Sequence, residues 1–584
     1  MKRRNFLKRL PLALSIPFSI GGIPIKVLAD NQLTALLQAN ADNDNVLIVL
    51  QMHGGNDGLN TLIPVEKYEQ YYSRRPNIAI PAKDSLRKYI PLDSTLPSDA
   101  QVGLHPDMLA MKALYDQGRV TFVQGVSYEN NNGSHFRGRD ISFMGGGSND
   151  YFDSGWLGRY LADYYFDKGY GTYPDSFNYA LMPDPLALEM GSEVSLLFHQ
   201  KGNIPTSLSI DEPDKFEDFI NELNGFDDLS GNRGFPPDFL EASPYGKELD
   251  WVLKIEDKSK DYAARLAKVY ADGGATSITY PQKYPYNAPS GSLDNPLSKQ
   301  LQLIARLLAG GCKTRVFLVK VGGFDTHADQ VESYDPTMGS HAALLFHISS
   351  AMKAFQEDLR SRGSLENRVL TVTTSEFGRR ISSNGSFGTD HGTGGPIYIF
   401  GKGVKPGVVG KVPNLDPDVH NIEMQYDYRQ VYANIMKDWM GVEEDTISKV
   451  LFGDQKTDPV TARNFIEGPR LDNENLPPYT PMPLATTVIT GIDEFVSTRF
   501  ALKDCYPNPA KNKTTMSFMV NSSNLVTINL MDIEGRPVKT LINKNYEPGE
   551  HKEEVDLTGL PTGNYIYQMK TEFYKGSKKL VIIK

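Results

Sequence analysis

Four of the ten histidines in the chain stand in short polar loops rich in glycine or asparagine, next to runs of apolar residues. His53-Gly54-Gly55-Asn56-Asp57-Gly58-Leu59-Asn60-Thr61 follows the apolar run Val46–Met52. Ser127 to Ser134-His135-Phe136-Arg137 follows Val120–Val126, and Gly322-Gly323-Phe324-Asp325-Thr326-His327 follows Arg315–Val321. Ser375-Glu376-Phe377-Gly378-Arg379-Arg380 follows Val369–Thr374, and Gly388-Thr389-Asp390-His391-Gly392-Thr393-Gly394-Gly395 leads into Pro396–Phe400. Imidazoles and carboxylates are the side chains that bind divalent metals, so five such loops point to a metal site if the fold brings them together. Their glycines let backbone segments approach closely.

The intervening sequence shows how they could meet. Met108–Gln117, Leu301–Leu308 and His341–Leu359 read as helices; in the last, Leu344, Leu345, Ile348, Met352, Phe355 and Leu359 recur at helical spacing. Helices alternating with continuously apolar strands imply an α/β fold, a mainly parallel sheet sandwiched by helices. Such sheets bind ligands at the carboxyl ends of their strands. Asp57, Asp325 and Glu376 follow strands, whereas His391 precedes one. For His391 to reach the same edge, its run must lie antiparallel to the others or be entered by a long loop crossing the edge; Ile397–Phe400 is expected to run antiparallel to Val46–Met52, with Gly392, Gly394 and Gly395 supplying the reversal.

Each candidate has a plainer reading. Asp57 either binds a ligand or stabilises a turn. Ser134 is either a nucleophile or the N-cap of the next helix. Glu376 either binds metal or pairs with Arg379 or Arg380. His53 either caps its loop or lies behind the ligands. His105 before Pro106 reads as a helix-entry or core residue, and His341 and His347 as structural residues on a helix. His199, His420 and His551 have no neighbours that suggest chemistry.

These loops, with Leu104-His105-Pro106, Gly155-Trp156-Leu157-Gly158-Arg159 and Glu376-Phe377-Gly378-Arg379, resemble a bacterial family described as domain of unknown function 1501, over about residues 44–465. More widely they resemble the alkaline phosphatase and sulfatase superfamily. That resemblance implies that Asp57, Asp325, His327, Glu376 and His391 are metal ligands and that Ser134, with His135 beside it, is catalytic. Arg137 and Arg379, with Arg139 and Arg380 as further candidates, would hold the substrate's oxyanion bidentately. The superfamily's strand-end Asp-His is here Glu376-Phe377, and the other Asp/His pair is spaced Asp-x-His. Either a second metal is lost, or carboxylates alone hold it, which favours Mg, Ca or Mn over Zn.

The ends of the chain read differently from its middle. Lys2-Arg3-Arg4-Asn5-Phe6-Leu7-Lys8 resembles a twin-arginine signal, and Val27-Leu28-Ala29 offers a cleavage site, giving a leader over 1–29. Pro and Gly interrupt its apolar stretch, so no membrane-spanning helix is expected of it or of the mature chain. The prolines between Pro477 and Pro483 mark a linker over 470–495. From 500 to 584 short alternating strands, Thr515–Val520, Val526–Met531, Val538–Ile542 and Asn564–Met569, predict a small antiparallel β-sandwich. Tyr506-Pro507-Asn508-Pro509-Ala510, Gly535, Gly563-Asn564-Tyr565 and the closing Lys578–Lys584 resemble a type A sorting domain of the type IX secretion system. The twin-arginine and type IX machineries are therefore expected partners, and the cell surface or extracellular space the destination.

The formal net charge of −10 falls to about −16 once the basic leader is removed. That disfavours nucleic acid or an anionic membrane as a partner, because both demand a basic face. Cys312 and Cys505 are the chain's two cysteines and form no disulfide framework. The reading is an exported metal-dependent hydrolase of phosphate or sulfate esters, acting on a small-molecule or glycan ester with a bound Zn, Mn, Mg or Ca. The alternative is a non-catalytic surface binding protein that retains the fold. A metal-free serine esterase is weaker, since no Gly-x-Ser-x-Gly surrounds Ser134.

Export gives the first test. Deleting residues 500–584 is expected to trap a folded core in the periplasm, and exchanging Arg3 and Arg4 together for Lys to block export altogether. Fractionation that finds the truncated chain in the medium refutes the sorting reading. Undiminished export of the Lys variant instead identifies the general secretory route.

Overall fold

The computed structural model describes residues 44–216, 264–452 and most of 501–583, with isolated positions before and between them. The leader over 1–29 (apart from a short strand pair, Ser19–Ile20 with Ile23–Pro24), the linker over 470–495 and Gly535 lie outside the described residues. The chain divides into two compact units, Asp44–Val488 and Ile489–Lys584 with Met1–Asn43.

The first unit is built on a nine-stranded sheet. Its strands are β1 (Val46–Met52), β2 (Val120–Ser127), β3 (Ala187–Met190), β4 (Ser207–Ile210), β5 (Val316–Val321), β6 (Val369–Thr374), β7 (Gly395–Phe400), β8 (Gly407–Val409) and β9 (Tyr426–Asp427). The order is β4-β3-β5-β1-β6-β7-β2-β8, with β9 also paired to β2. Neighbours pair in parallel except at β7, which is antiparallel to both β6 and β2. The strand holding Ile397–Phe400 thus runs opposite to Val46–Met52, the expected one of the two routes by which His391 could reach this edge.

Alternation along the central strands builds two hydrophobic layers. Val46, Ile48, Leu50 and Met52 of β1 enter one core with Phe317, Val319 and Val321 of β5 and Tyr398 and Phe400 of β7. Leu47 and Val49 enter the other, with Val316, Leu318, Val372, Ile397 and Ile399. The first layer is covered by α1 (Leu109–Asp116), α4 (Pro296–Ala309) and α5 (Ser340–Ser361). The second is covered by α2 (His135–Met144), α3 (Trp156–Asp167), α6 (Tyr428–Asn434) and α7 (Glu444–Phe452). Strands buried on both faces read as continuous apolar runs, which is why they were visible in sequence. A 3-10 turn, Pro106–Met108, precedes α1, and His105 caps it by accepting from the Asp107 amide.

In the second unit two antiparallel sheets share one core of Met516, Phe518, Ile528, Leu530, Tyr567 and Leu580. Strands extend the four expected segments to Lys513–Val520, Asn524–Met531, Pro537–Tyr546 and Gly563–Lys570. Gly549–Asp556 is a strand that apolar alternation did not reveal. Among the described residues it pairs only with Lys513–Val520, and its charged residues suit a sheet edge.

Beyond β6 the chain passes unusually close to the segment before β7. The Gly378 amide donates to the Thr393 carbonyl and the Gly392 amide to the Gly378 carbonyl, both at 2.8 Å. A Cβ at Gly378 would overlap the Gly394 carbonyl. Gly378→Ala is therefore expected to cost about 1–3 kcal/mol in denaturant unfolding. Gly385→Ala, where an added Cβ meets nothing within 4 Å, serves as the neutral control.

Candidate metal centre

The loop after β5 carries Asp325 and His327, the start of α2 carries His135, and the loop before β7 carries His391. Their side chains meet. His391 Nε2 lies 3.0 Å from His135 Nε2 and 2.8 Å from His327 Nε2. Asp325 Oδ1 lies 3.2 Å from His391 Nε2 and 3.3 Å from His327 Nε2, and Asp325 Oδ2 lies 3.3 Å from His135 Nε2. Donor atoms of His135, Asp325 and His391 all lie within 4.8 Å of one another, a grouping that could hold a metal ion.

The far side of two rings fixes what they present. His391 Nδ1 is 2.8 Å from the Gly133 carbonyl, which only accepts, so that nitrogen carries the proton. His327 Nδ1 is 3.3 Å from the Asp390 carboxylate. Asn384 donates to that carboxylate, which with His327 keeps its pKa below the ordinary value. In neutral rings both Nε2 atoms are then bare lone pairs, pointing at each other and at Asp325. Such a set repels itself unless a cation or an extra proton lies among the atoms. Backbone carbonyls and carboxylates behind imidazoles orient metal ligands in this way. The residues present therefore fit a cation.

Asp325 stays ionised. Partial burial works against its charge, but the Arg379 hydrogen bond and charge prevail and hold its pKa at about 2. Burial lowers the pKa of His135, with Asp325 opposing. The Phe377 ring packs 4.8 Å from His135 and 4.5 Å from His391, centroid to centroid, and forms an apolar wall of the cluster.

Several expected site residues go elsewhere. Asp57 does not reach the cluster. Its buried carboxylate receives Arg75 Nη1 at 2.8 and 2.7 Å and Gln330 Nε2 at 2.6 Å, which leaves no room for a cation without stripping Arg75. Glu376 lies beside the cluster but ties down the loop after β1. Its Oε2 accepts from the Gly54 and Gly55 amides at 2.9 and 3.1 Å, and Oε1 lies 3.5 Å from His53 Nε2. Arg379 is not available to substrate, because its buried guanidinium donates to Gly54, Gly55, Phe324 and Thr389 carbonyls and to Asp325. Arg137 is turned away: it donates to Ser148 and Asp150 carbonyls at 2.7 and 2.6 Å and stacks on Tyr151. Ser134 caps α2, its Oγ accepting from the Arg137 amide at 3.4 Å. His135, named beside the nucleophile, stands among the metal-competent side chains instead. Gln330 and Arg75 were missed, since neither glutamine nor a lone helix-end arginine carries a motif. Asp390 could have been found, because it stands directly before His391.

Two segments match known families. Residues 273–458 match the model described as Protein of unknown function (DUF1501). Residues 504–583 match that of the secretion system C-terminal sorting domain, which indicates export to the cell surface or extracellular space. No curated protein sequence matches the chain. Among solved structures, dimeric latent PorU from Porphyromonas gingivalis is 18% identical over 17% of this chain, at a TM-score of 0.14; the chain spans 10% of that protein. A protein in the alkaline phosphatase superfamily from Vibrio parahaemolyticus is 10% identical, covers 88% of this chain and 83% of its own, and has a TM-score of 0.29. The alkaline phosphatase of the Antarctic bacterium TAB5 is 12% identical over 63% of this chain and 94% of its own, at a TM-score of 0.24. Among the described residues no helix is long and apolar enough to cross a membrane.

The buried charges beneath the cluster make stability depend on pH. Burial, opposed by Asp57, lowers His341 to about 4. The unfolded chain takes up that proton near 6.5, so it binds more protons than the folded chain between these values. Stability is then lost as pH falls from about 6.5 to 4, by roughly 3 kcal/mol. Asp57, whose folded pKa is lowered, adds a further loss below about 4. Unfolding midpoints at pH 7.5 and 4.5 are expected to differ accordingly, and His341→Gln to flatten the difference. A residual slope is shared by His105, His347 and His135, whose pKa values burial also lowers.

Proposed function

We propose that this chain is an exported hydrolase of phosphate or sulfate esters whose metal is held by His135, Asp325, His327 and His391. The observation that carries the proposal is the convergence of imidazole Nε2 atoms on an ionised carboxylate, with His391 and His327 tied back through Nδ1. Three imidazoles and one carboxylate suit Zn or a similar transition ion better than Mg or Ca. A bound divalent ion supplies positive charge that polarises an ester oxygen and lowers the pKa of a coordinated hydroxyl. Ser134 stands at the N-terminus of the ten-residue helix α2, where the helix dipole favours a developing negative charge. In this reading Ser134 attacks phosphorus or sulfur. His53, exposed and 3.5 Å from Glu376, and Arg380, exposed and with its charge acting on Asp390, can receive a substrate oxyanion. Arg137 and Arg379 take no part in this reading, since both are spent on backbone carbonyls.

A second reading has its own observation. Phe377 fills the place beside His135 and His391 where another imidazole would extend the metal set. A site so narrowed can bind a cation and a partner's acidic group without turnover.

Elemental analysis of the purified protein, with aryl phosphate and aryl sulfate assays, separates the two. The hydrolase reading expects one divalent ion per chain, with turnover that chelation abolishes. His391→Ala is expected to lower turnover by about 100-fold or more, and Ser134→Ala to remove it with the metal still bound. Stoichiometric metal without turnover of either ester supports the binding reading. Absence of metal after refolding with Zn, Mn, Mg and Ca refutes both.

A further inference from the structure

We propose that Gln330, gripped by the buried Asp57, is a positioning residue that sets the two loops bearing Asp325, His327 and His391. This rests on the metal-site reading above. The Asp57 carboxylate can only accept hydrogen bonds, so Gln330 must turn its Nε2 toward it, at 2.6 Å. That orientation leaves Oε1 facing two hydroxyls, Thr326 Oγ1 and Thr389 Oγ1, each donating at 2.9 Å.

Thr326 lies between Asp325 and His327. Thr389 lies two residues before His391. One amide oxygen thus clamps both loops, and the Thr389 amide donates across to the Thr326 carbonyl at 3.0 Å. The Gln330 backbone adds to the grip. Its amide donates to the Phe387 carbonyl at 3.0 Å, and its carbonyl accepts from the His341 amide at 3.1 Å. Gln330, Thr389 and Asp57 are all fully or almost fully buried, so water does not substitute for these bonds. Arg75 in turn holds Asp57 with two contacts and donates Nη2 to the Arg380 carbonyl at 2.7 Å. Asp57 therefore acts on the metal ligands at a distance. Its charge fixes the direction of the glutamine amide, and the amide fixes the separation of the loops.

The test uses the full chain and titration with Co(II) followed by visible absorption. Removing Asp57 would strand a buried arginine, so the variants are Gln330→Met and the double Thr326→Val/Thr389→Val, which keep volume. Both are expected to weaken Co(II) binding by about 10- to 100-fold and to alter the ligand-field band. The triple variant is expected to be no weaker than Gln330→Met alone, because all three side chains serve one clamp. The thermal midpoint of the metal-free protein, read in parallel, reports a merely structural role. Lowered midpoints with Co(II) affinity within twofold of wild type overturn the proposal. If Gln330→Met does not fold, the valine pair decides alone by the same criterion. Wild-type protein that binds no Co(II) overturns the metal-site reading and this inference with it, whereas wild-type binding with equal binding by the variants overturns the inference only.

Discussion

A single buried guanidinium holds the site together. Arg379 is fully buried, and its donors reach the Gly54 and Gly55 carbonyls after β1, the Phe324 carbonyl and Asp325 carboxylate after β5, and the Thr389 carbonyl before β7. Moving such a charge out of water is costly unless nearly every N–H finds an acceptor. The chain meets that demand by bending three loops around one side chain. Convergence of the loops is thus a condition of burying Arg379, whether or not a ligand is present. The same bond that satisfies Arg379 keeps Asp325 ionised, so the architecture and the charge of the centre share one cause.

The antiparallel placement of β7 is the second condition. In a wholly parallel sheet the segment preceding a strand lies at the opposite edge from the segments that follow its neighbours. Reversing β7 brings His391 to the edge where β1, β5 and β6 end. Gly378 and Gly392 then let the two strands' flanking segments touch backbone to backbone. This much was legible in sequence, because the apolar runs Val46–Met52, Val369–Thr374 and Pro396–Phe400 are buried on both faces and His391 stands on the wrong side of its run. His327 and His391 were legible as site candidates for the same reason: they flank strands and sit amid glycine.

What sequence did not disclose is which charged groups are consumed by the protein itself. Asp57 and Asp325 both sit in glycine-rich loops after apolar strands, and their local patterns are alike. The difference is Arg75, eighteen positions along the chain from Asp57, whose approach depends on the packing of the segment after β1 and has no periodic signature. Arg137 and Arg379 likewise look free to bind an anion, until the carbonyls of Ser148, Asp150 and Gly54 are seen to occupy them. Ser134 shows the same ambiguity at smaller scale, since capping a helix and attacking an ester call for the same hydroxyl in the same place. The fates of Asp57, Arg137 and Arg379 are tertiary overrides, decided by partners that no spacing rule reveals.

Burial sorts these look-alikes by physical necessity. The Asp57 side chain has no exposure and both oxygens taken, so binding a cation there would require expelling Arg75 into a medium that cannot solvate it. The Asp325 side chain is 47% exposed, shares Oδ1 among Arg379, His327 and His391, and presents Oδ2 to His135. A cation entering from solvent would find there a carboxylate already ionised and imidazoles already turned toward it. Little reorganisation is needed, because Gly133 and Asp390 have set the ring tautomers beforehand. The protein thus divides its charges by depth. Those without solvent build the frame, and those at its edge, held by that frame, keep lone pairs unspent.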